Sequence, residues 1–358
     1  MNSTTVGKYV LLFSGIVCLG YFVNKFREHE TEEHQDAELN LIRKFLLNES
    51  QLYGYNKPKL WIHTKYEVNS RQWKSFYSRN STDLNQPYIH LTVKTIINHC
   101  GQDFNVCLID DQTFSKLIPS WKINMSFLSS PMKERARTYG LAQLLYIYGG
   151  LVIPNSFVCS KNLKSFFEMA TSGESPSNTK PFFVENINHT TLQQNHQQVK
   201  FIPNLAFMGV KEKNDKHMKS FVQMLHTQIT DPSHFHIQSE FNGSNATWCF
   251  DQIQKGNFKL ISGEFIGVKT IQQNPILIEE LLSESFLEIH PNAYGVYIPN
   301  DEILTRLKYQ WFASISSQEV LDASTAISRY IVASIVDSNN YSLDKSNTII
   351  KESTVGSM

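Results

Sequence analysis

The chain has 358 residues, of which 41% are hydrophobic, 18% charged and 12% aromatic, and its 33 basic side chains are matched by 33 acidic ones. Those proportions exclude a disordered or collagen-like chain and allow one large domain with a sizeable core. With no excess of positive charge and no long basic tract, nucleic acid is excluded as the main partner.

Residues 1–8 read as an N-terminal tail. Tyr9 to Val23 (YVLLFSGIVCLGYFV) carries no charge and is flanked by Lys8 and by Lys25 and Arg27. A spanning helix needs about 20 apolar residues, with about 17 as the lower edge. Residues 9–25 fit a single-pass membrane anchor if Lys8 snorkels to the headgroups. The rival is a cleaved signal peptide, with Cys18 and Gly20 as small residues before a cut. Tyr21, Phe22 and Phe26 favour the anchor, because they read as an interfacial aromatic belt. Lys25 and Arg27 weakly place the following domain in the cytosol. Against this stand N-x-Ser/Thr sequons at Asn2, Asn48, Asn80, Asn124, Asn188, Asn242, Asn245 and Asn340, which matter only in a lumenal domain. The reading leans to a lumenal domain of Golgi or ER type.

Residues 26–55 form a stem. It is acidic over Glu28–Glu38 and ends in a short helix that carries Leu41, Ile42, Phe45 and Leu46. The domain follows at 56–336. KLWIH (Lys59–His63) is a short buried strand. Tyr88 to Cys100 is a helix. FNVCLID (Phe104–Asp110) is a second strand, and Asp111 is placed to cap the helix after it. Glu134 to Tyr148 is a helix that stops at Gly149-Gly150, and LVIP (Leu151–Pro154) is the third strand. Phe201–Val210 is a strand, Lys216–Ile229 an amphipathic helix and Phe258–Ile261 a strand. Gly295–Pro299 is a further strand, and Ile303–Ala313 and Glu319–Val336 are closing helices. Residues 337–358 are a loose polar tail. Strand–helix alternation of this kind implies a mainly parallel sheet with helices on both faces.

Five cysteines are present, at 18, 100, 107, 159 and 249. They form no CxxC pair and have no histidine at zinc-finger spacing, so two readings stay open: buried reduced thiols, or one or two lumenal disulfides.

In an open α/β sheet, ligands bind at the carboxyl ends of the strands. Three such ends carry polar groups: His63, Asp110 with Asp111, and Asn155 with Ser156. Each also has a plainer role available, capping a helix or closing a turn.

The order of these pieces resembles the glycosyltransferases with a DXD-type sugar-binding region. These include bacterial capsular polysaccharide enzymes and Golgi enzymes related to α-1,6-mannosyltransferase initiators. Three stretches carry the resemblance: KPKLWIH (Lys57–His63), the run from Gln86-Pro87 to Asp110-Asp111, and AQLLYIYGGLV (Ala142–Val152). The last is the most specific, and together they cover residues 57–160. The resemblance implies a three-layer, Rossmann-type sandwich of the glycosyltransferase A class. It also implies sugar transfer from a nucleotide sugar to a glycan or glycoprotein acceptor.

One departure is large. The family holds Mn²⁺ or Mg²⁺ against the donor diphosphate with D-x-D just beyond the paired glycines, because a hard cation offsets the charge of the leaving group. Here those positions read Pro154-Asn155-Ser156, so no metal ligand is assigned and the cofactor is unknown. Two readings follow. In the favoured one, transfer proceeds without a protein-bound metal, and Arg135, Arg137 or Lys133 contacts the diphosphate. In the other, the fold persists without catalysis, as a membrane-associated binding or structural protein.

An acceptor hydroxyl needs a base. Glu240, expected in a polar loop, and Glu264, after Gly263, are the catalytic candidates. His290 is a candidate diphosphate contact by the resemblance. No GxSxG, HExxH, Walker or GxGxxG motif occurs. The transferase reading requires Pro154–Ser156 to line a cleft; a packed position removes its main support.

Overall fold

The computed structural model describes residues 57–65, 86–119, 121–173, 179–190, 192–194, 197–230 and 238–336. All of them fall in the larger of the two units into which the chain divides, Ser50–Met358. The proposed anchor, stem and C-terminal tail lie outside the described residues. No described helix is long and apolar enough to cross a membrane.

The strands are β1 (Lys59–His63), β2 (Asn105–Ile109), β3 (Gly150–Pro154), β4 (Phe157–Cys159), β5 (Phe182–Ile187), β6 (Gln193–Gln194), β7 (Gln197–Gln198), β8 (Phe201–Val210), β9 (Lys259–Ile261) and β10 (Gly295–Tyr297). The helices are α1 (Ile89–Cys100), α2 (Thr113–Leu117), α3 (Ser130–Tyr148), α4 (Lys164–Thr171), α5 (Lys216–Thr230), α6 (Gln238–Gln254), α7 (Ile278–Leu281), α8 (Asn300–Thr305), α9 (Gln310–Ser314), α10 (Ser317–Asp322) and α11 (326–336).

Six strands form the central sheet in the order β2-β1-β3-β8-β5-β9. β1 pairs in parallel with β2 and β3, and β5 pairs in parallel with β9. β8 runs antiparallel between β3 and β5. The result is a mixed α/β fold with a mostly parallel sheet. β1 shows why the sequence chose this arrangement: Leu60, Trp61 and Ile62 are all wholly buried. An unbroken apolar run, with no alternation, belongs to a strand covered on both faces.

One apolar cluster joins the sheet to α3, α5 and α6 through Trp61, Leu144, Leu145, Phe183, Phe221 and Phe241. A second gathers α1, β4, β10 and the C-terminal helices around Leu91, Val158, Ile298 and Phe312.

The twin glycines join α3 to the sheet. Gly149 (φ +69°) ends the helix, and Gly150 (φ +108°) opens β3. A Cβ on Gly150 would stand 2.3 Å from the Lys59 carbonyl oxygen of β1. Only glycine lets β3 approach β1 this closely while holding a positive φ. Trp61 then donates Nε1–H to the Gly149 carbonyl at 3.0 Å.

Several expectations need correction. α3 begins at Ser130, four residues before Glu134, because Pro131 suits a first turn. Asp110, not Asp111, caps α2: its Oδ1 accepts the N–H groups of Gln112 and Thr113 at 3.0 and 2.9 Å. The expected helix over Ile303–Ala313 is broken into α8, a 3-10 turn at Leu307–Tyr309 and α9. That over Glu319–Val336 is split between α10 and α11, where Ala326 N–H leaves to bond the Ser283 carbonyl at 2.7 Å. The polar loop expected around Glu240 is the first turn of α6. Gly243 and three asparagine or serine neighbours disguise this helix, which stands on the burial of Phe241, Asn245, Ala246 and Cys249 along one face.

Candidate functional site

β1, β2 and β3 end level with one another. His63 lies opposite Ile109 on one side and Pro154 on the other. This register sets His63 at the carboxyl edge, with Asp110-Asp111 leaving β2 beside it. Phe114, on α2, stacks against the His63 ring at 5.4 Å and 7°. α3 crosses close by, because Gly140 leaves no Cβ to strike the Phe114 ring.

Here a charged cluster forms. His63 Nε2 lies 2.9 Å from Asp111 Oδ1. Arg137 donates Nε–H to Asp111 Oδ1 at 2.8 Å and Nη2–H to Oδ2 at 2.7 Å, a two-pronged grip. Nη1 donates to Glu134 Oε1 at 2.6 Å. Lys65 Nζ approaches the same Glu134 oxygen at 2.8 Å and Asp301 at 3.8 Å.

The electrostatics follow from these contacts. Burial pushes the Asp111 carboxyl up, but the hydrogen bonds from Arg137 and His63 outweigh it and hold the group far below the usual carboxylate range. Burial likewise raises Glu134, and Lys65 and Arg137 overcome it to leave the group lowered. For Lys65, burial pulls downward while Asp301 and Glu134 pull harder upward, so it stays charged. Burial lowers the His63 pKa, and Asp111 only partly opposes this, so His63 is neutral at pH 7. Three carboxylates therefore face two cations. The cluster leans negative and satisfies itself.

The structure thus brings together His63, Asp111 and Arg137 among the residues singled out in the sequence. Asp110 sits beside them, occupied with α2. Arg135 does not join. Two residues from Arg137, it faces elsewhere on the helix, and its guanidinium lies 5.0 Å from the centre of the Phe241 ring. Asn155 and Ser156 are packed, at 9% and 0% exposure. Ser156 Oγ–H donates to the Ile298 carbonyl at 2.8 Å, and Thr92 Oγ1–H to the Asn155 carbonyl at 2.5 Å. The Asn155 and Ser156 side of the turn after β3 is packed against α1 and the chain beyond β10, while Pro154 is half-buried. A cavity of about 300 Å³ is lined by Lys161, Asn162, Ser165, Phe265, Asn292 and Tyr294, none of them a residue singled out in the sequence.

Glu264 and His290 meet each other, with Oε2 and Nε2 4.0 Å apart, and Glu264 also accepts from Gln273 Nε2 at 3.1 Å. They follow the β9 side of the sheet. β9 is four strand spacings from β1, about 19 Å at roughly 4.8 Å each. They belong to a different place from the His63 cluster. Glu240 lies on α6, and its side chain is outside the described residues.

Lys65, Glu134, Phe114 and Asp301 complete the cluster without having been singled out. Glu134 and Arg137 were legible as an i, i+3 ion pair on a helix; Asp301 left no local signal. Pro154, Asn155 and Ser156 bring no carboxylate to the turn after β3, and Ser156 is buried, so these residues do not fit the divalent cation that the family resemblance implies.

No protein-family model and no curated protein matches the chain. Among solved structures, two of the glycosyltransferase GlyE from Streptococcus pneumoniae TIGR4 are similar to it. One covers 74% of this chain at 12% identity with a TM-score of 0.36. The other, the apo form, covers 58% at 11% identity with a TM-score of 0.32. The match spans 62% and 46% of those GlyE chains, less than two thirds in each case. The PaToxG glycosyltransferase is similar over 63% of this chain and 82% of its own, at 13% identity and a TM-score of 0.30. Likenesses this slight carry no argument about activity.

Proposed function

We propose that the chain is a catalytically inactive, glycosyltransferase-like α/β protein that acts as a membrane-associated binding or structural component. The frame of this reading is the resemblance over residues 57–160, above all the helix–Gly-Gly–strand unit of α3 and β3. The membrane part rests on the segment at 9–25, uncharged from Tyr9 to Val23, and on nothing else. One observation carries the loss of catalysis. Where the family places its two metal-holding carboxylates, this chain has Pro154, Asn155 and a Ser156 whose hydroxyl is buried against Ile298. These three positions offer a donor diphosphate no carboxylate to hold a cation against it, and two of the three side chains are buried.

The second reading is transfer of a sugar from a nucleotide sugar to a glycan or glycoprotein acceptor without a protein-bound metal. Its support is the position of Arg137 at the carboxyl edge of β1 and β2. Against it, Asp111 and Glu134 already take up that guanidinium. Calorimetric titration of the chain with UDP- and GDP-sugars, with and without Mn²⁺, separates the two. The first reading expects no saturable heat. Saturable donor binding, with or without Mn²⁺, would overturn it, and binding that needs no Mn²⁺ would support the second.

A further inference from the structure

Four cysteines lie among the described residues, all buried thiols. Cys107 and Cys249 belong to the apolar cluster around Trp61. Cys100 and Cys159 stand apart from that cluster, and they face each other with sulfurs 3.8 Å apart. We propose that Cys100 and Cys159 are the site of a structural disulfide, formed while the chain folds in an oxidising compartment.

The neighbourhood holds the two residues in place. Cys100 is the last residue of α1 and Cys159 the last of β4. The Cys159 N–H donates to Thr95 Oγ1, a turn back along α1, at 2.9 Å. Ser334 Oγ–H, from α11, donates to the Cys159 carbonyl at 2.5 Å, and His99, next to Cys100, approaches Ser334 Oγ at 3.1 Å. Helix, strand and C-terminal helix are thus tied at the point where the sulfurs meet. The 3.8 Å between the sulfurs has to close to the roughly 2.05 Å of an S–S bond, a displacement of less than 2 Å. The one interaction given up is the weak Cys159 S–H donation to the Lys161 carbonyl at 3.1 Å.

Both thiols are wholly buried in the folded chain, and burial raises the Cys159 pKa well above that of a free thiol, with Cys100 adding to it. A finished fold therefore protects the pair from reagents, and oxidation belongs to folding, when both are exposed. The step balances with a small-molecule disulfide such as oxidised glutathione. One cysteine thiolate attacks it, forming a mixed disulfide and releasing one glutathione thiolate. The other cysteine thiolate then attacks the protein sulfur of that mixed disulfide and releases the second. Two electrons pass from the cysteines to glutathione, and the two protons end on the released thiols. The ring so closed spans 59 positions.

The test uses the full chain, reduced and denatured, then refolded in a buffer of reduced and oxidised glutathione. After acid quenching, remaining thiols are alkylated and peptides are mapped by mass spectrometry. The expected result is one cross-linked peptide pair containing Cys100 and Cys159, with Cys107 and Cys249 alkylated. Adding a strong reductant should lower the melting temperature of the refolded protein by roughly 5–10 °C, as a loop of this length implies. Cys159→Ser should abolish that shift, and Cys107→Ser should leave it. Full alkylation of Cys100 and Cys159 in the refolded wild type would overturn the proposal. So would a cross-link joining either of them to Cys18, Cys107 or Cys249. The mapping decides the matter even if Cys159→Ser fails to fold.

Discussion

Replacing Asp111 with alanine tests the charged cluster at the strand ends. Asp111 accepts both prongs of Arg137 and the His63 ring, and the Arg137 side chain is only 8% exposed. Removing one member of a buried ion pair costs about 3–5 kcal/mol, because the survivor is left uncompensated. Glu134 keeps its own bond to Arg137 at 2.6 Å, so the lower end applies, about 3 kcal/mol. In a domain of this size each kcal/mol moves the midpoint by about 2 °C, which gives a fall of about 6 °C. Urea unfolding of Asp111→Ala, Arg137→Met and the double variant measures the pair directly. The double variant should recover most of the loss, with a coupling of about 2 kcal/mol. If Asp111→Ala lies within about 0.5 kcal/mol of the wild type, the pair behaves as an exposed one and the reasoning is wrong.

Two further outcomes follow. Gly150→Ala should cost more than about 2 kcal/mol, since the new methyl meets the Lys59 carbonyl oxygen at 2.3 Å and the φ is positive. Gly149→Ala, whose Cβ would sit 3.0 Å from the Lys211 carbonyl oxygen, should cost less; equal melting temperatures for the two would contradict this account of the turn. The pH dependence comes from His63, whose pKa burial depresses below 6.5. The unfolded chain takes up this proton first, so its contribution to stability is complete above about pH 6.5 and is lost as the pH falls toward the folded-state value. Between pH 6.5 and 5.5 the wild type should lose up to about 1 kcal/mol more than His63→Gln, measured by urea unfolding. Parallel losses would refute the assignment.

What the sequence disclosed is what local pattern can carry. Lys59–His63 read as a buried strand because its apolar residues do not alternate, and Gly149-Gly150 read as a helix stop because glycine alone tolerates that backbone. The cluster was only half legible. Arg137 meets Asp111 across 26 positions, a pairing created by the packing of α3 beside α2 and not by any motif, so the sequence offered Arg135 and Arg137 as equals. The structure separates them, because residues two apart on a helix face different ways. Asn155 and Ser156 misled for the opposite reason. A polar pair at a strand end looks like a site until β4 and β10 are seen to pair directly behind it. Helix α6 was hidden by its own composition, and tertiary burial overrode weak propensity.

The measurement that bears most directly on the account is a calorimetric titration of UDP and GDP into the purified full chain, with Mn²⁺ in excess. A cluster that has already neutralised its cations, beside a turn with no carboxylate and with Asn155 and Ser156 buried, predicts no saturable binding tighter than about 1 mM, or roughly −4 kcal/mol. Micromolar binding that disappears in Arg137→Ala would contradict it.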